Sequence, residues 1–145
     1  MKPTGALVAA SRGTERPSVS VVIPTCCEAE NVPVLLERLS AALGGVRGGY
    51  ELFVVDSDSP DGTWRVAEAL RDRYPQLRVL RQPADRGGLA QAIVDGWQAA
   101  HGELLAAMDA DLQHPPEVLE PLVAALEDET VDIAIASRYL AAAGP

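Results

Sequence analysis

The stretch Leu104-Leu-Ala-Ala-Met-Asp-Ala-Asp-Leu-Gln-His-Pro-Pro-Glu117 joins an apolar run to two carboxylates one residue apart, and then to a pair of prolines. The run Leu104 to Met108 suits a strand buried in a sheet, and Pro115 and Pro116 stop it. Pro116 is well placed as a first helical residue, and Leu119, Leu122, Val123 and Leu126 recur behind it at helical spacing. A buried strand that passes through a polar loop into an amphipathic helix is a βα unit. Open α/β sheets receive their ligands at the carboxyl ends of such strands. With the backbone extended past Met108, period-2 alternation sends Asp109, Asp111 and Gln113 to one side. Two carboxylates and an amide suit a hard divalent cation, Mg²⁺ or Mn²⁺, which takes oxygen ligands and completes its shell with water and substrate phosphates. An Asp-x-Asp pair alone is common by chance in loops; its place between strand and helix gives it weight.

The same unit recurs along the chain. Val19-Ser-Val-Val-Ile23 is a β-branched run broken by Pro24; Asn31 is placed to cap a helix with Pro33 in its first turn, an apolar stripe of Leu35, Leu36, Leu39 and Leu43, and a stop at Gly44-Gly45. A second strand at Leu52 to Val55 breaks into the polar turn Asp56-Ser-Asp-Ser-Pro-Asp-Gly-Thr63, before a helix carrying Val66, Leu70 and Tyr74. A third strand is expected at Leu77 to Leu80, a helix with Leu89, Ile93 and Trp97 after Gly87-Gly88, and a fifth strand at Ile133 to Ala136, after the one that carries the acidic pair. This alternation predicts an α/β domain with a mostly parallel sheet and helices on both faces. Parallel strands bring Pro24 to Glu28, Asp56 to Asp61, Asp109 to Gln113 and Arg138 to one rim.

At 145 residues the chain has the size of one domain, and 48% hydrophobic with 23% charged residues is an ordinary globular balance. The net charge is −9 and the sole lysine is Lys2. Nucleic acid is therefore excluded as a partner without a focused basic patch, and none is present. An anionic substrate would need a metal bridge and placed arginines. Cys26 and Cys27 are adjacent, which makes a mutual disulfide strained, so a reduced, cytoplasmic setting is expected. Residues 1–17 read as a loose tail too short for a signal or a membrane span, leaving only peripheral membrane contact.

Four segments together resemble one family: Ile23-Pro-Thr-Cys-Cys-Glu-Ala-Glu-Asn31, Val54-Val-Asp-Ser-Asp-Ser-Pro-Asp-Gly-Thr63, Met108 to Glu117, and Ala136-Ser-Arg-Tyr139. In this order and spacing they are similar to family-2 glycosyltransferases of the Rossmann-like GT-A fold, and within them to dolichol- or polyprenol-phosphate mannose synthases. The resemblance implies that Asp109, Asp111 and Gln113 hold the cation and the donor diphosphate, with Arg138 on phosphate oxygens; Asp109, Asp111 and Arg138 would then be the catalytic set. Pro24, Thr25, Glu28, Val55 and Asp56 would line the nucleoside pocket, with Asp58 as a further candidate and Ala110 beside the ribose and diphosphate. It implies transfer of a sugar, mannose from GDP-mannose, to a lipid phosphate such as dolichyl or polyprenyl phosphate, at the cytoplasmic membrane surface. Residues 18–145 would be the GT-A domain without the acceptor-binding C-terminal part, leaving a flank open to self-association. The chain departs from the family where Cys26 and Cys27 replace the usual Tyr-Asn, and where Ser57 replaces the second acid.

Two other classes compete. A phospho-accepting receiver is also a small acidic α/β domain, but it needs a lysine at the phosphoryl group and none follows Lys2. The other is a catalytically incomplete remnant that binds a nucleotide sugar or a partner chain. Elsewhere the plain readings serve best: Trp97 as core, and His101 at a helix end favouring its dipole; His114, beside the acidic run, reads equally as a metal or phosphate ligand and as a structural loop residue.

Overall fold

The computed structural model describes residues 8–9 and 18–137 of the chain. In chain order its elements are β1 (Val8–Ala9), β2 (Val19–Thr25), α1 (Asn31–Leu43), β3 (Tyr50–Asp56), α2 (Thr63–Ala69), β4 (Leu77–Arg81), α3 (Gly88–Ala99), β5 (Leu104–Ala107), a 3-10 turn at Pro116–Val118, and α4 (Leu119–Ala125). All the strands join one sheet in the order β1-β5-β2-β3-β4. β5, β2, β3 and β4 run parallel, and β1 pairs antiparallel with β5.

The handedness of the crossovers explains the layering. From β2 through α1 to β3, and through α2 to β4, the chain steps one way across the sheet, so right-handed connections put α1 and α2 on the same face. From β4 it returns past β2 to β5, so α3 lies on the opposite face. Two apolar cores result. Val19, Val21 and Ile23 point into a cluster with Leu35, Leu36, Leu39, Ala67, Leu119 and Val123. Val22, Phe53 and Val55 pack with Ala92, Ile93 and Trp97 of α3. The Trp97 indole N–H donates to the Ala106 carbonyl at 3.0 Å, so the ring is core and its polar atom is satisfied.

α3 lies close on the sheet at Gly96, where an added Cβ would come 2.5 Å from a Val22 methyl. Gly96→Ala is expected to push the helix off β2 and lower stability by about 1–3 kcal/mol, as overpacking of a filled core does. Urea unfolding measures it, and an unchanged midpoint would mean that the contact yields without cost.

Several expectations need correction. Residues 1–17 are not wholly a tail, because Val8–Ala9 forms an edge strand opposite Leu104 and Leu105. No strand forms at Ile133 to Ala136; residues 131–137 have no regular structure, and Ile133 and Ile135 are exposed. Val8–Ala9 pairs with Leu104 and Leu105 on the outer side of β5, and residues 131–137 join neither end of the sheet. Asn31 is the first helical residue rather than the cap, and its amide donates to the Glu28 carboxylate at 2.7 Å. α2 ends at Ala69 and buries Thr63 and Ala67, leaving Val66 and Leu70 half-buried and Tyr74 beyond the helix. His101 follows the C-cap of α3 at the helix end, and it also has a partner that its sequence position did not announce. Its backbone N–H and ring Nδ1 meet the buried Glu51 carboxylate, at 2.5 and 3.3 Å, and the Ser20 hydroxyl donates to the same carboxylate at 2.6 Å. That polar knot closes the amino ends of the strands, away from the rim where the acidic pair lies. Among the described residues no helix is long and apolar enough to cross a membrane.

Candidate functional site

β2 and β5 are neighbours at the place where the strand order reverses, since the chain steps from β2 outward to β4 and returns through α3 to β5 on the other side of β2. At such a topological switch point open α/β sheets bind their ligands, beyond the carboxyl ends of the strands. A cleft of about 320 Å³ lies there, lined by Pro24 and Thr25 at the end of β2 and Cys26 and Glu28 after it, by Ser57 after β3, and by Asp109, Ala110 and Asp111 after β5. Ala84, Gly88, Leu89 and Ala92 close its wall from the α3 side.

The acidic loop is not the extended segment expected from the sequence. β5 ends at Ala107; the Met108 N–H still donates to the Val22 carbonyl at 3.0 Å, and residues 110–114 then bend. Leu112 takes a left-handed φ of 60°, and an Asp111 carboxylate oxygen accepts the Gln113 N–H at 3.0 Å, a local turn closed by its own side chain. Exposure still alternates: Asp109, Asp111 and Gln113 are exposed, whereas Ala110 is buried and Leu112 half-buried. Asp109 and Asp111 thus share the cleft with Ala110. Gln113 is exposed beside them, its N–H on Asp111, and does not itself line this cleft. His114 faces a neighbouring apolar cleft with Met108, Leu119 and Leu122.

The loop after β3 holds the loop after β2 in place. Asp56 is fully buried; its carboxylate accepts the Thr25 hydroxyl at 2.8 Å, the Ser59 hydroxyl at 2.6 Å and the Ser59 N–H at 2.9 Å. Three successive backbone N–H groups then dock on side chains of that loop: Cys27 on Ser59 Oγ at 2.9 Å, Glu28 on Thr63 Oγ1 at 2.9 Å, and Ala29 on the Asp61 carboxylate at 3.1 Å. The Thr63 hydroxyl donates to Asp61 at 2.5 Å and, with the backbone N–H groups of Ala29 and Thr63, holds the Asp61 carboxyl below its ordinary value. Its contribution to stability is therefore complete above the ordinary carboxylate range and is lost as pH falls through the lowered value. On the other flank Arg38 of α1 forms a bidentate pair with Glu117 at 2.8 and 2.6 Å, which holds the Glu117 carboxyl down at about 2 and ties the acidic loop's exit to α1.

Of the residues expected at the site, the structure brings Pro24, Thr25, Glu28, Asp109, Ala110 and Asp111 together around one cleft. Val55 and Asp56 lie behind it and are fully buried. Asp58 turns away at a left-handed φ of 54°, and its carboxylate takes both Arg81 Nε at 2.8 Å and Nη2 at 2.6 Å. Arg81 in turn lies over the Trp64 ring, 4.1 Å from its centroid, so Asp58 is held outside the cleft. Asp58→Ala is expected to leave nucleotide affinity within about twofold, as exposed substitutions away from a site do. A calorimetric titration checks it, and a tenfold loss would mean that the side chain swings in. Arg138 lies outside the described residues, as does Tyr139. Composition and periodicity missed the α3 wall. The available signal was Gly87-Gly88, which adopts φ of 123° and 70° and carries the chain round the rim into the helix.

The residues present fit a hard cation. Among the described residues Asp109 has no side-chain partner, Asp111 keeps an oxygen beyond its turn bond, and no third Asp, Glu, His or Cys converges on them to make an all-protein cage. Such an open carboxylate pair leaves ligand positions for phosphate oxygens and water.

Residues 20–144 match the family described as Glycosyl transferase family 2. The chain belongs to glycosyl transferase family 2. A dolichol-phosphate mannosyltransferase of Pyrococcus furiosus is 47% identical over 122 residues, 84% of this chain and 33% of that protein. One of Mycosarcoma maydis is 35% identical over 127 residues, 85% of this chain and 42% of that protein. The family-2 chain thus spans between a third and a half of the length of these relatives. Its fold is that of the GT-A glycosyltransferases. The mannosyltransferase PcManGT of Pyrobaculum calidifontis, solved with GDP-Man and Mn²⁺, superposes with a TM-score of 0.68 at 32% identity, covering 90% of this chain and 37% of that one. S. aureus TarS in complex with UDP-GlcNAc superposes at 0.63 with 28% identity, over 77% and 31%.

Proposed function

We infer that this chain binds a nucleoside diphosphate sugar with Mg²⁺ or Mn²⁺, as the donor part of a transferase that moves mannose from GDP-mannose to a lipid phosphate of the dolichyl or polyprenyl type. One observation carries the reading: the exposed Asp109 and Asp111 face Pro24, Thr25 and Glu28 across a single cleft at the switch point of the sheet. The dolichol-phosphate mannosyltransferases and the GDP-Man and Mn²⁺ complex among the relatives support the donor, the metal and the acceptor class.

Asp109 and Asp111 are the groups that would hold the cation. When bound, it supplies positive charge to the diphosphate as the glycosidic bond breaks. Thr25, whose hydroxyl donates to Asp56, and Glu28, whose N–H docks on Thr63, bound the nucleoside end. A lipid-phosphate acceptor is already anionic at neutral pH, so the site needs to position it rather than to deprotonate it. Arg138 is assigned to the donor phosphates. Arg138→Ala should weaken a nucleoside diphosphate by about tenfold or more and leave the bare nucleoside nearly unchanged, because a guanidinium serves phosphate oxygens. Equal losses in paired titrations of GDP and guanosine would place it elsewhere.

A second reading, a nucleotide-sugar-binding module without turnover, is favoured by one feature. Asp56 is consumed by Thr25 and Ser59, Asp58 by Arg81, and Ser57 stands where the family has its second acid, so none of these three offers a carboxylate to a base. Titration of GDP-mannose, UDP-GlcNAc and the free nucleotides into the chain, with and without Mn²⁺, tests both readings. Metal-dependent binding that prefers GDP-mannose supports the mannosyl donor. Binding blind to the base supports the module, and no metal-dependent binding removes both.

A further inference from the structure

Cys26 and Cys27 stand side by side where β2 runs out, both exposed and both with free thiols. Cys26 lines the donor cleft between Thr25 and Glu28, opposite the carboxylates of Asp109 and Asp111. Cys27 takes a left-handed φ of 57°, and its N–H is fixed on Ser59 Oγ at 2.9 Å. A set backbone therefore presents the pair. Its thiols also sense one another: that of Cys27 is raised above its ordinary value, first by desolvation, then by the charges of Cys26 and Asp61, and further by a hydrogen bond with Cys26.

Direct oxidation suits this pair poorly. Adjacent Cα atoms are about 3.8 Å apart, whereas disulfides usually span about 4.4–6.8 Å, so a bond between these sulfurs stores strain. An atom that binds both sulfurs enlarges the ring and relieves it. The atom must be soft and thiophilic, because thiolates select soft centres, while the hard carboxylates across the cleft select the opposite class.

We propose that Cys26 and Cys27 form a dithiol site for trivalent organoarsenicals, and that its occupation closes the nucleotide end of the cleft. The closure, though not the site itself, rests on the donor reading given above. With an arylarsine oxide, two As–S bonds form as the arsenic–oxygen bonds break. The two S–H protons leave with that oxygen as water, arsenic stays trivalent and no sulfur is oxidised. The aryl group is then left beside Cys26, where the base and ribose would lie against Pro24 and Thr25.

The test treats the full 145-residue chain with phenylarsine oxide and reads the intact mass. A single adduct formed with loss of water is expected, resistant to a monothiol and removed by 2,3-dimercaptopropanol. Cys26→Ser and Cys27→Ser, each judged folded by circular dichroism, should both fail to form a monothiol-resistant adduct. In the adduct, GDP-mannose affinity with Mn²⁺ should fall by at least about tenfold and return after dimercaptopropanol. Bound nucleotide should slow the reaction. An adduct that forms only on the urea-unfolded chain, or one that persists in either single variant, would overturn the site. An adduct with undiminished nucleotide binding would overturn the closure. If the adduct forms on a chain that binds no nucleotide even untreated, the dithiol site stands and the donor reading fails instead.

Discussion

Asp111→Asn should abolish metal-dependent nucleotide binding while the protein stays folded. The side chain is exposed, and its one described bond is a carboxylate oxygen accepting the Gln113 N–H, which an asparagine carbonyl can still do. The bend at Leu112 therefore survives, and what is lost is a negative charge and a hard oxygen in the cleft. Altering the partners that merely orient metal ligands costs about 10- to 100-fold, so loss of a ligand's charge should cost at least about 100-fold, near 2.8 kcal/mol. Asp109→Asn should do the same, because both carboxylates face the same space. Thermal melts establish that the fold is intact, and titration with GDP and Mn²⁺ reads the loss. A variant that is as stable as the parent and binds GDP and Mn²⁺ as tightly would remove the metal assignment.

Asp56→Ala should be the most destabilising change at the rim. The carboxylate is fully buried and accepts three donors, so truncation strands the Thr25 hydroxyl and the Ser59 hydroxyl and N–H. Hydrogen bonds to a charged group contribute about 1.5–3 kcal/mol each, and a net loss of at least about 3 kcal/mol is expected after relaxation. Ser59 also receives the Cys27 N–H, so the clasp on Thr25 to Ala29 should loosen and nucleotide affinity fall with stability. Asp56→Asn keeps an acceptor and should cost less. Denaturant unfolding beside titration separates two roles for this residue. An Asp56→Ala chain of parental stability that no longer binds nucleotide would mean that Asp56 meets the nucleoside itself rather than building the loop behind it.

The fold was legible where burial on both faces of a strand writes itself as an apolar run. Val19 to Ile23, Leu52 to Val55 and, up to Ala107, the run from Leu104 each became a parallel strand, and the leucine stripe of α1 packs as its spacing requires. Tyr50 and Glu51 joined β3 unannounced, because a glutamate reads as a strand end until a serine and a histidine from elsewhere in the chain neutralise its burial. Ile133 to Ala136 has the composition of a strand and is not one. Composition describes a strand's faces, and a strand also needs a neighbour to pair with, which this segment does not meet in the sheet. The site was legible in its residue types more than in its geometry. Asp109 and Asp111 reach the cleft as expected, yet through a bend rather than an extended strand, and the bend leaves Gln113 outside the lining. Asp58 looked like a replacement acid. Only the folded chain shows Arg81, pinned over Trp64, drawing it away. Spacing could not announce the α3 wall at Gly88 and Leu89 either, since it reaches the cleft by tertiary packing.

The central claim is that the acidic loop and the loop after β2 form the two ends of one donor site. A crystal structure of the chain soaked with GDP-mannose and Mn²⁺ tests it most directly, using the anomalous signal of manganese to fix the ion. The account predicts one manganese peak bridging the carboxylates of Asp109 and Asp111 to the diphosphate, with the nucleoside against Pro24 and Thr25. A manganese ion bound elsewhere, or a nucleotide lying outside this cleft with the two aspartates still facing water, would contradict it.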